Sequence, residues 1–551
     1  MRVVVLFAGL LAALPGTGSG ATYHLSADGA GDFPTITEAI AAAETGDSIL
    51  LAAGLYLGPG NTQLNFGGKD IVLAGAGPEA TILDCEDSGV PVLRIENGET
   101  RAAVLRDMTL RNNYHYYAPT GVIVEGASPS FIGVHLEGFG GGAYYYPGGA
   151  LDAYDSSLLL RDVEVRNCYS RGGLRFSGGA PELERVLVED CSRSGVEYNG
   201  GPGGGISVGG NATLREVTVR NCGCWENFGG GVIVGGAALF EDCVFEGNGV
   251  GTEIGYTEFG GGGVACAGGS PTFRRCVFRG NYARDGGGGL GVYGTATPVF
   301  EDVLFLGNAS DIGGSIIVRD ASPTFRRTTV LDNRFEPDGD TADGPSAIHC
   351  IDASPTFEQV IVAYSEQGVG LWADAGSALS LSCSDVFANP GGNYGGVLVD
   401  QTGVNGNISA DPLFCDAAGG DYSLDGSSPC LPWNNDCELR MGAFGLGCGF
   451  TPADDALPAA FALAAPHPNP FNPKTTLRFD LPRAATVRLD IVDVQGRRVA
   501  RLLDGAMLPP GQHSIDWMGR DDAGRSLPSG VYFARFEAGE FRARRKLVLL
   551  R

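Results

Sequence analysis

Between residues 157 and 365 the chain repeats one pattern of apolar and polar positions eight times. The segments begin at Ser157, Ala180, Asn211, Ala237, Ser270, Thr297, Ser322 and Ser354, spaced 23 to 33 residues apart. The fourth position of each is large and apolar: Leu160, Leu183, Leu214, Phe240, Phe273, Phe300, Phe325, Phe357. The ninth is apolar again, from Val165 to Val362. The twelfth is Cys168, Cys191, Cys222, Asn248, Asn281, Asn308, Asn333, then Ser365. Self-similarity at this period predicts stacked coils that bury their apolar positions against one another. A column of Asn or Cys predicts an internal side-chain ladder along the stacking axis. A second short strand precedes each segment behind a glycine run, as in Gly203-Gly-Gly-Ile206-Ser-Val208. Its alternation leaves one outward column, read as Ile123, Arg175, Ser207, Ile233, Ala265 and Gly291.

Charge sharpens this picture. One polar column runs Arg161, Glu184, Arg215, Glu241, Arg274, Glu301, Arg326, Glu358, and its sign flips at every repeat. A second, Asp162, Arg185, Glu216, Asp242, Arg275, Asp302, Arg327, does nearly the same. A third, Arg166, Glu189, Arg220, Glu246, Arg279, alternates until it turns apolar at Leu306 and Leu331. Parallel strands lie about 4.8 Å apart, so stacked like charges repel and opposite ones pair. The expected rod has roughly eleven coils and a length of about 50 Å.

These motifs resemble the right-handed parallel β-helix family, pectate-lyase-like in the broad sense. Gly-Gly-Gly-Ile/Val and Phe-x-x-Asn (Phe245 to Asn248, Phe278 to Asn281) are also similar to repeats of polymorphic outer-membrane proteins. Asp28-Gly-Ala-Gly-Asp32-Phe-Pro-Thr-Ile36 resembles the N-terminal cap of such proteins. Thr35 and Glu38 have capping-box spacing ahead of a short helix that would cover the first coil. Ile408 to Gly445 resembles a closing segment. The fold expected is all-β: a right-handed parallel β-helix solenoid over 22–450, then a linker at 451–465, then a β-sandwich over 466–551.

Arg2, the apolar run Val3–Leu14 and the small residues to Ala21 read as a signal peptide over 1–21. Fourteen cysteines in an exported chain make bridges plausible. Stacked Cys168, Cys191 and Cys222 fit either bridges or buried thiols. Cys415, Cys430, Cys437 and Cys448 favour bridges. The last segment carries Asn469-Pro470-Phe471-Asn472-Pro473, then strands with hairpin turns. It resembles type IX secretion sorting domains and the Ig-like domain of flagellar hook-capping proteins. The resemblance implies recognition by outer-membrane secretion machinery, and a secreted or outer-surface location in a diderm bacterium.

A formal charge of −26 excludes nucleic acid as a natural partner. Catalytic β-helices gather carboxylates on outward positions of neighbouring coils. The outward column as read holds no stacked acids, and the polygalacturonase and pectin methylesterase aspartate motifs have no match. The reading is therefore a monomeric display or structural protein, with a polysaccharide lyase or hydrolase as the alternative. Tyr114, Tyr116, Tyr117, Tyr144, Tyr145 and Tyr146, near His115, Asp152 and Asp155, are the candidate surface for a glycan or cell-surface partner. No cofactor is expected beyond a weak Ca²⁺ candidate at Asp338, Asp340 and Asp343.

Overall fold

The computed structural model describes residues 20–114, 120–140, 149–169, 172–193, 203–224, 228–251, 260–311, 314–335, 346–448, 460–508, 510–522 and 525–550. They fall into two compact units, 1–409 and 410–551. Most of the leader (1–19) and of the linker (451–459) lies outside the described residues.

The first unit is a right-handed parallel β-helix of about 14 turns. That is more than the eleven read from the repeats. Strands at Thr22–Leu25, Ser48–Leu51, Val72–Ala74 and Val104–Tyr114 form coils without the repeat motif, and Ser130–Gly140 forms one that carries it as Ser128-Pro-Ser-Phe131 ahead of the first repeat counted. A 25-stranded sheet carries two strands from most coils, and a 13-stranded sheet carries the strand behind each glycine run. Six short strands and three glycine-rich strands make two further sheets.

Each apolar column becomes a stack. Phe240, Phe273, Phe300, Phe325 and Phe357 lie face to face, with successive centroids 4.5, 4.9, 4.8 and 5.1 Å apart. All five are fully buried. Offset stacking adds to the area they remove from water. Beside them the amide ladder forms as expected. Asn248 Nδ2 donates to Asn281 Oδ1 (3.0 Å), and Asn281 Nδ2 donates to Asn308 Oδ1 (2.9 Å). The second hydrogen of each Nδ2 goes to a backbone carbonyl, Val219 O and Phe245 O, so these buried amides are satisfied. Cys168, Cys191 and Cys222 continue the column as buried thiols, not bridges.

The charge columns are stacked in register. Arg274 is the Cα partner of both Glu241 and Glu301, and its Nε reaches Glu301 Oε2 at 2.9 Å. Glu241 takes its two guanidiniums from Arg215 (3.2 Å) and Arg275 (2.8 Å), not from Arg274 as the first column alone implied. The reason is a corner. Asp162, Arg185, Glu216, Asp242, Arg275, Asp302 and Arg327 all have φ between 50 and 57°. That left-handed turn separates the two strands of the long sheet and is unusual for arginine and glutamate. It sets Arg185 on Asp162, Arg275 on Asp242 and Arg327 on Asp302 as two-pronged pairs.

At the N-terminus a helix spans Ile36–Ala42, and the Thr35 hydroxyl accepts from Glu38 N. Ile36, Ala39 and Ile40 bury against the first coils, while Lys69 Nζ donates to the carbonyls of Ile40 and Ala41.

The second unit contains residues 410–448 and a sandwich. A disulfide joins Cys415 to Cys448, and Cys430 is buried. The sandwich packs a three-stranded sheet on a four-stranded antiparallel one, around Leu477, Phe479, Leu489, Ile491, Phe536 and Leu547.

Candidate functional site

The outer face of the 13-stranded sheet presents one central side chain from each coil. The outward column runs Asn65, Arg94, Ile123, Asp152, Arg175, Ser207, Ile233, Ala265, Gly291, Ile317, His349, Trp372, Gly395. Asp152 therefore belongs to the column from which the sequence reading omitted it.

The middle of this column is covered. Ala265 and Ile317 are buried, and Tyr293 lies over this face, its hydroxyl donating to Gly260 O at 2.6 Å. Burial pushes the Tyr293 hydroxyl well above its ordinary range, so it stays a donor. The glycine-rich strands Phe228–Gly229, Gly260–Gly261 and Gly286–Gly287 pair with one another beside this face. Towards the far end, buried His349 lies against Trp372 with ring centroids 4.2 Å apart and planes tilted by 35°, and its Nδ1 is 3.3 Å from Ser346 Oγ.

The polar end is built on Asp152. Its carboxylate is buried, and Oδ2 accepts from Thr120 Oγ1 at 2.7 Å and from Tyr154 OH at 3.3 Å. Arg175, one coil on, donates from Nη1 to the Tyr154 hydroxyl (3.4 Å) and sets its guanidinium 5.6 Å from that ring's centroid. A carboxylate, two hydroxyls and a half-exposed guanidinium thus share one patch of the sheet. Such a set donates and accepts side by side, which suits vicinal hydroxyls. Asp155 is not part of it. With φ 47° it occupies a turn, in the same left-handed role as Asp320 and Asp352.

In the coils between Val104 and Ser346 the undescribed segments (115–119, 141–148, 170–171, 194–202, 225–227, 252–259, 312–313, 336–345) all fall in one connection, the one leading into the 13-stranded sheet. Tyr116, Tyr117, Tyr144, Tyr145 and Tyr146 lie there, outside the described residues, as do His115, Asp338, Asp340 and Asp343. Tyr114 ends its strand with its backbone opposite Gly140. Thr120 and Asp152 stand at described ends of two such connections.

The 469–473 motif is described in full and serves the sandwich as a clasp. Phe471 is buried, with its ring 5.4 Å from Trp517. Asn469 Nδ2 donates to Lys546 O at 2.7 Å, and its Oδ1 accepts from Val548 N at 2.8 Å. Phe471 pairs through its backbone with Val548 and Leu550 on either side of Leu549. His467-Pro468, Asn469-Pro470 and Asn472-Pro473 are cis.

Comparison with known proteins agrees with the two folds. Residues 120–329 and 204–386 match the family described as right handed beta helix region. Residues 471–539 match the FlgD Ig-like domain. No curated protein sequence matches the chain. Among solved structures, the catalytic domain of a GH87 alpha-1,3-glucanase in complex with nigerose is 11% identical, covering 71% of this chain and 70% of its own, at a TM-score of 0.34. XylC in complex with xylose is 8% identical over 92% and 97%, at 0.35. Pectate lyase Pel9A is 11% identical over 78% and 98%, at 0.29. Two of these are named as carbohydrate-active enzymes, and at such scores the likeness carries no inference about this chain's chemistry.

Proposed function

We propose that this is an exported glycan-binding β-helix protein whose site is centred on Asp152. The observation that carries the reading is the buried Asp152 carboxylate sharing Tyr154 with the partly exposed Arg175, on the outer face of the 13-stranded sheet. The carboxylate orients both hydroxyls, and Arg175 and Tyr154 remain at the surface to meet sugar hydroxyls and stack on a ring. Display on a rigid scaffold lowers the ordering cost of binding, because the sheet is fixed before the ligand arrives.

The C-terminal sandwich, with its Asn469–Pro473 clasp, is proposed as the element that outer-membrane secretion machinery reads, after which the chain is released or held at the cell surface. Fractionation of the native host, with and without residues 466–551, tests this. Unchanged export of the truncated chain refutes it.

A second reading, a polysaccharide lyase or hydrolase, draws on the same Asp152, since a buried carboxylate beside an arginine is material for acid–base chemistry. A glycan array run beside reducing-end and unsaturated-product assays separates the two. Binding without turnover, lost in Asp152→Asn and Arg175→Ala, is the expected result. Turnover abolished by Asp152→Asn would establish the enzyme instead, and binding unaffected by either variant would sink the site.

A further inference from the structure

The sandwich carries a charge opposite to that of the rest of the chain. Residues 466–551 hold 15 of the 38 basic residues but only 9 of the 64 acidic ones, a net +6 within a total of −26. Much of that excess is gathered on the outer face of the four-stranded sheet, formed in order by Arg498–Leu508, Ala485–Asp493, Gly530–Ala538 and Phe541–Leu549.

Register divides this face into rows that cross the strands. The first row reads Asp504, Arg488, Glu537, Arg542, and its charges cancel. The second reads Arg501, Asp490, Arg535, Arg544. Its single acid is taken from both sides, by Arg501 at 3.0 Å and by Arg535 at 2.6 Å. Arg544 is thus set in register beside Arg535, a like-charge pair that disfavours the sheet unless an anion relieves it. The third row reads Arg498, Val492, Phe533, Lys546, two cations flanking two apolar side chains. Arg544 and Lys546 are exposed, and neither has an acidic partner among the described residues. Past Lys546 the face turns apolar. Val531 pairs with Val548, while Val494 in the adjoining hairpin turn and Leu550 after the last strand are 69% and 50% exposed.

We propose that this face docks the chain on a membrane surface of anionic phospholipid, with Arg544 and Lys546 on the phosphates and Val494 and Leu550 seated among the headgroups. The order of the rows carries the choice of partner. Balanced ion pairs, then unpaired cations, then exposed apolar side chains is the sequence of layers met on passing from water through headgroups towards acyl chains. The remainder of the chain, with 23 basic against 55 acidic residues, is repelled by the same surface, so the sandwich alone makes the contact. The inference does not rest on the export reading, since a sorting signal is read by protein and this face by lipid.

Co-sedimentation of the full chain with vesicles of phosphatidylcholine, alone or mixed with about 30% phosphatidylglycerol, tests the face. Binding should appear only with the anionic vesicles and should weaken as salt is raised. A cation close to such a surface is worth roughly fivefold in partitioning, so Arg544→Gln combined with Lys546→Gln should weaken binding about twentyfold. Val494→Asp should weaken it as well. Arg478→Gln, which removes an exposed cation from the other sheet, should change it far less. All four side chains are exposed, so the unfolding midpoints should match wild type. Equal binding to both kinds of vesicle, binding to neither, full affinity in the double variant, or an equal loss in Arg478→Gln would overturn the inference. Salt-sensitive self-association that the double variant abolishes, without vesicle binding, would assign the face to a second copy of the chain and overturn it too.

Discussion

Gly263 and Asn281 are a fitted pair. A Cβ on Gly263 would lie 3.1 Å from Asn281 Cγ and 2.6 Å from the Gly289 carbonyl oxygen. The same relation joins Gly231 to Asn248 and Gly289 to Asn308, at 2.8 and 3.0 Å. The glycine run and the Phe-x-x-Asn motif are therefore two halves of one corner, in which the missing side chain makes room for the ladder amide.

Gly263→Ala should consequently destabilise the solenoid by about 1–3 kcal/mol, the usual cost of forcing a methyl group into a packed interior. Backbone, not a pliable side chain, blocks the new carbon. Gly235→Ala, where nothing lies within 4 Å of the new carbon, is the matched control. Equal denaturation midpoints for the two variants would contradict the coupling.

Glu241→Ala should cost little, about 0–1 kcal/mol, because exposed ion pairs are individually weak. Glu241→Arg should cost distinctly more, since it faces Arg215 and Arg275 with no acid between them. Raising the salt concentration should narrow the gap between the two variants. Thermal melts at low and high ionic strength measure both effects.

Arg275 also determines an acid response. Its hydrogen bonds hold the Glu241 and Asp242 carboxyls below their ordinary values of 4.5 and 3.8, with Arg215 adding to the effect on Glu241. A carboxyl depressed in the folded state stabilises fully above its unfolded value, and the contribution fades as pH falls through the folded one. Wild type should therefore exceed Arg275→Gln in midpoint above pH 4.5, and the advantage should shrink as the solution is acidified further. A difference that stays constant down the acid range would argue against this linkage.

The thiols of Cys168, Cys191, Cys222, Cys243, Cys266, Cys276 and Cys350 are buried. Burial pushes the Cys350 thiol up to about 12 and Cys266 higher still, so those two hold little reactive thiolate at neutral pH, while at the other five it is burial that shields the sulfur from reagent. Alkylation followed by mass spectrometry should leave all seven unlabelled in the native protein and label them in denaturant. Native labelling at any ladder position would show that the corner opens.

Phe471→Ala should cost about 3–5 kcal/mol in the sandwich, as for a large buried ring. Asn469→Ala, which loses both bonds to the last strand, should cost about 1–3 kcal/mol. The calorimetric transition of the C-terminal unit in the full chain reads both. If the motif were only a surface tag, neither substitution would move it.

The solenoid was legible because its register is written several times over, in the Phe column, the Asn column and the alternating charges. The amide ladder and the pairing of Arg274 with Glu301 follow directly from that. The first five coils were less legible. Val72–Ala74 and Leu93–Ile95 carry the strands without the Ser-Pro-Thr-Phe punctuation, so fewer coils were counted, and Asp84, Arg111 and Glu137, which stack in register ahead of Arg166, were not joined to the third column. The left-handed corner escaped notice because arginine and glutamate are poor predictors of positive φ. Asp152 reads from the sequence as a loop neighbour and not as a member of the outward column.

The alternation of sign from coil to coil also gives the stack a parity. Loss of one coil by recombination or slippage would bring two arginines, or two glutamates, face to face in several columns at once. Loss of two adjacent coils would leave opposite charges meeting again. The ladder thus favours growth and shrinkage of the repeat array by even numbers, a restriction that neither the apolar stacks nor the amide column would impose.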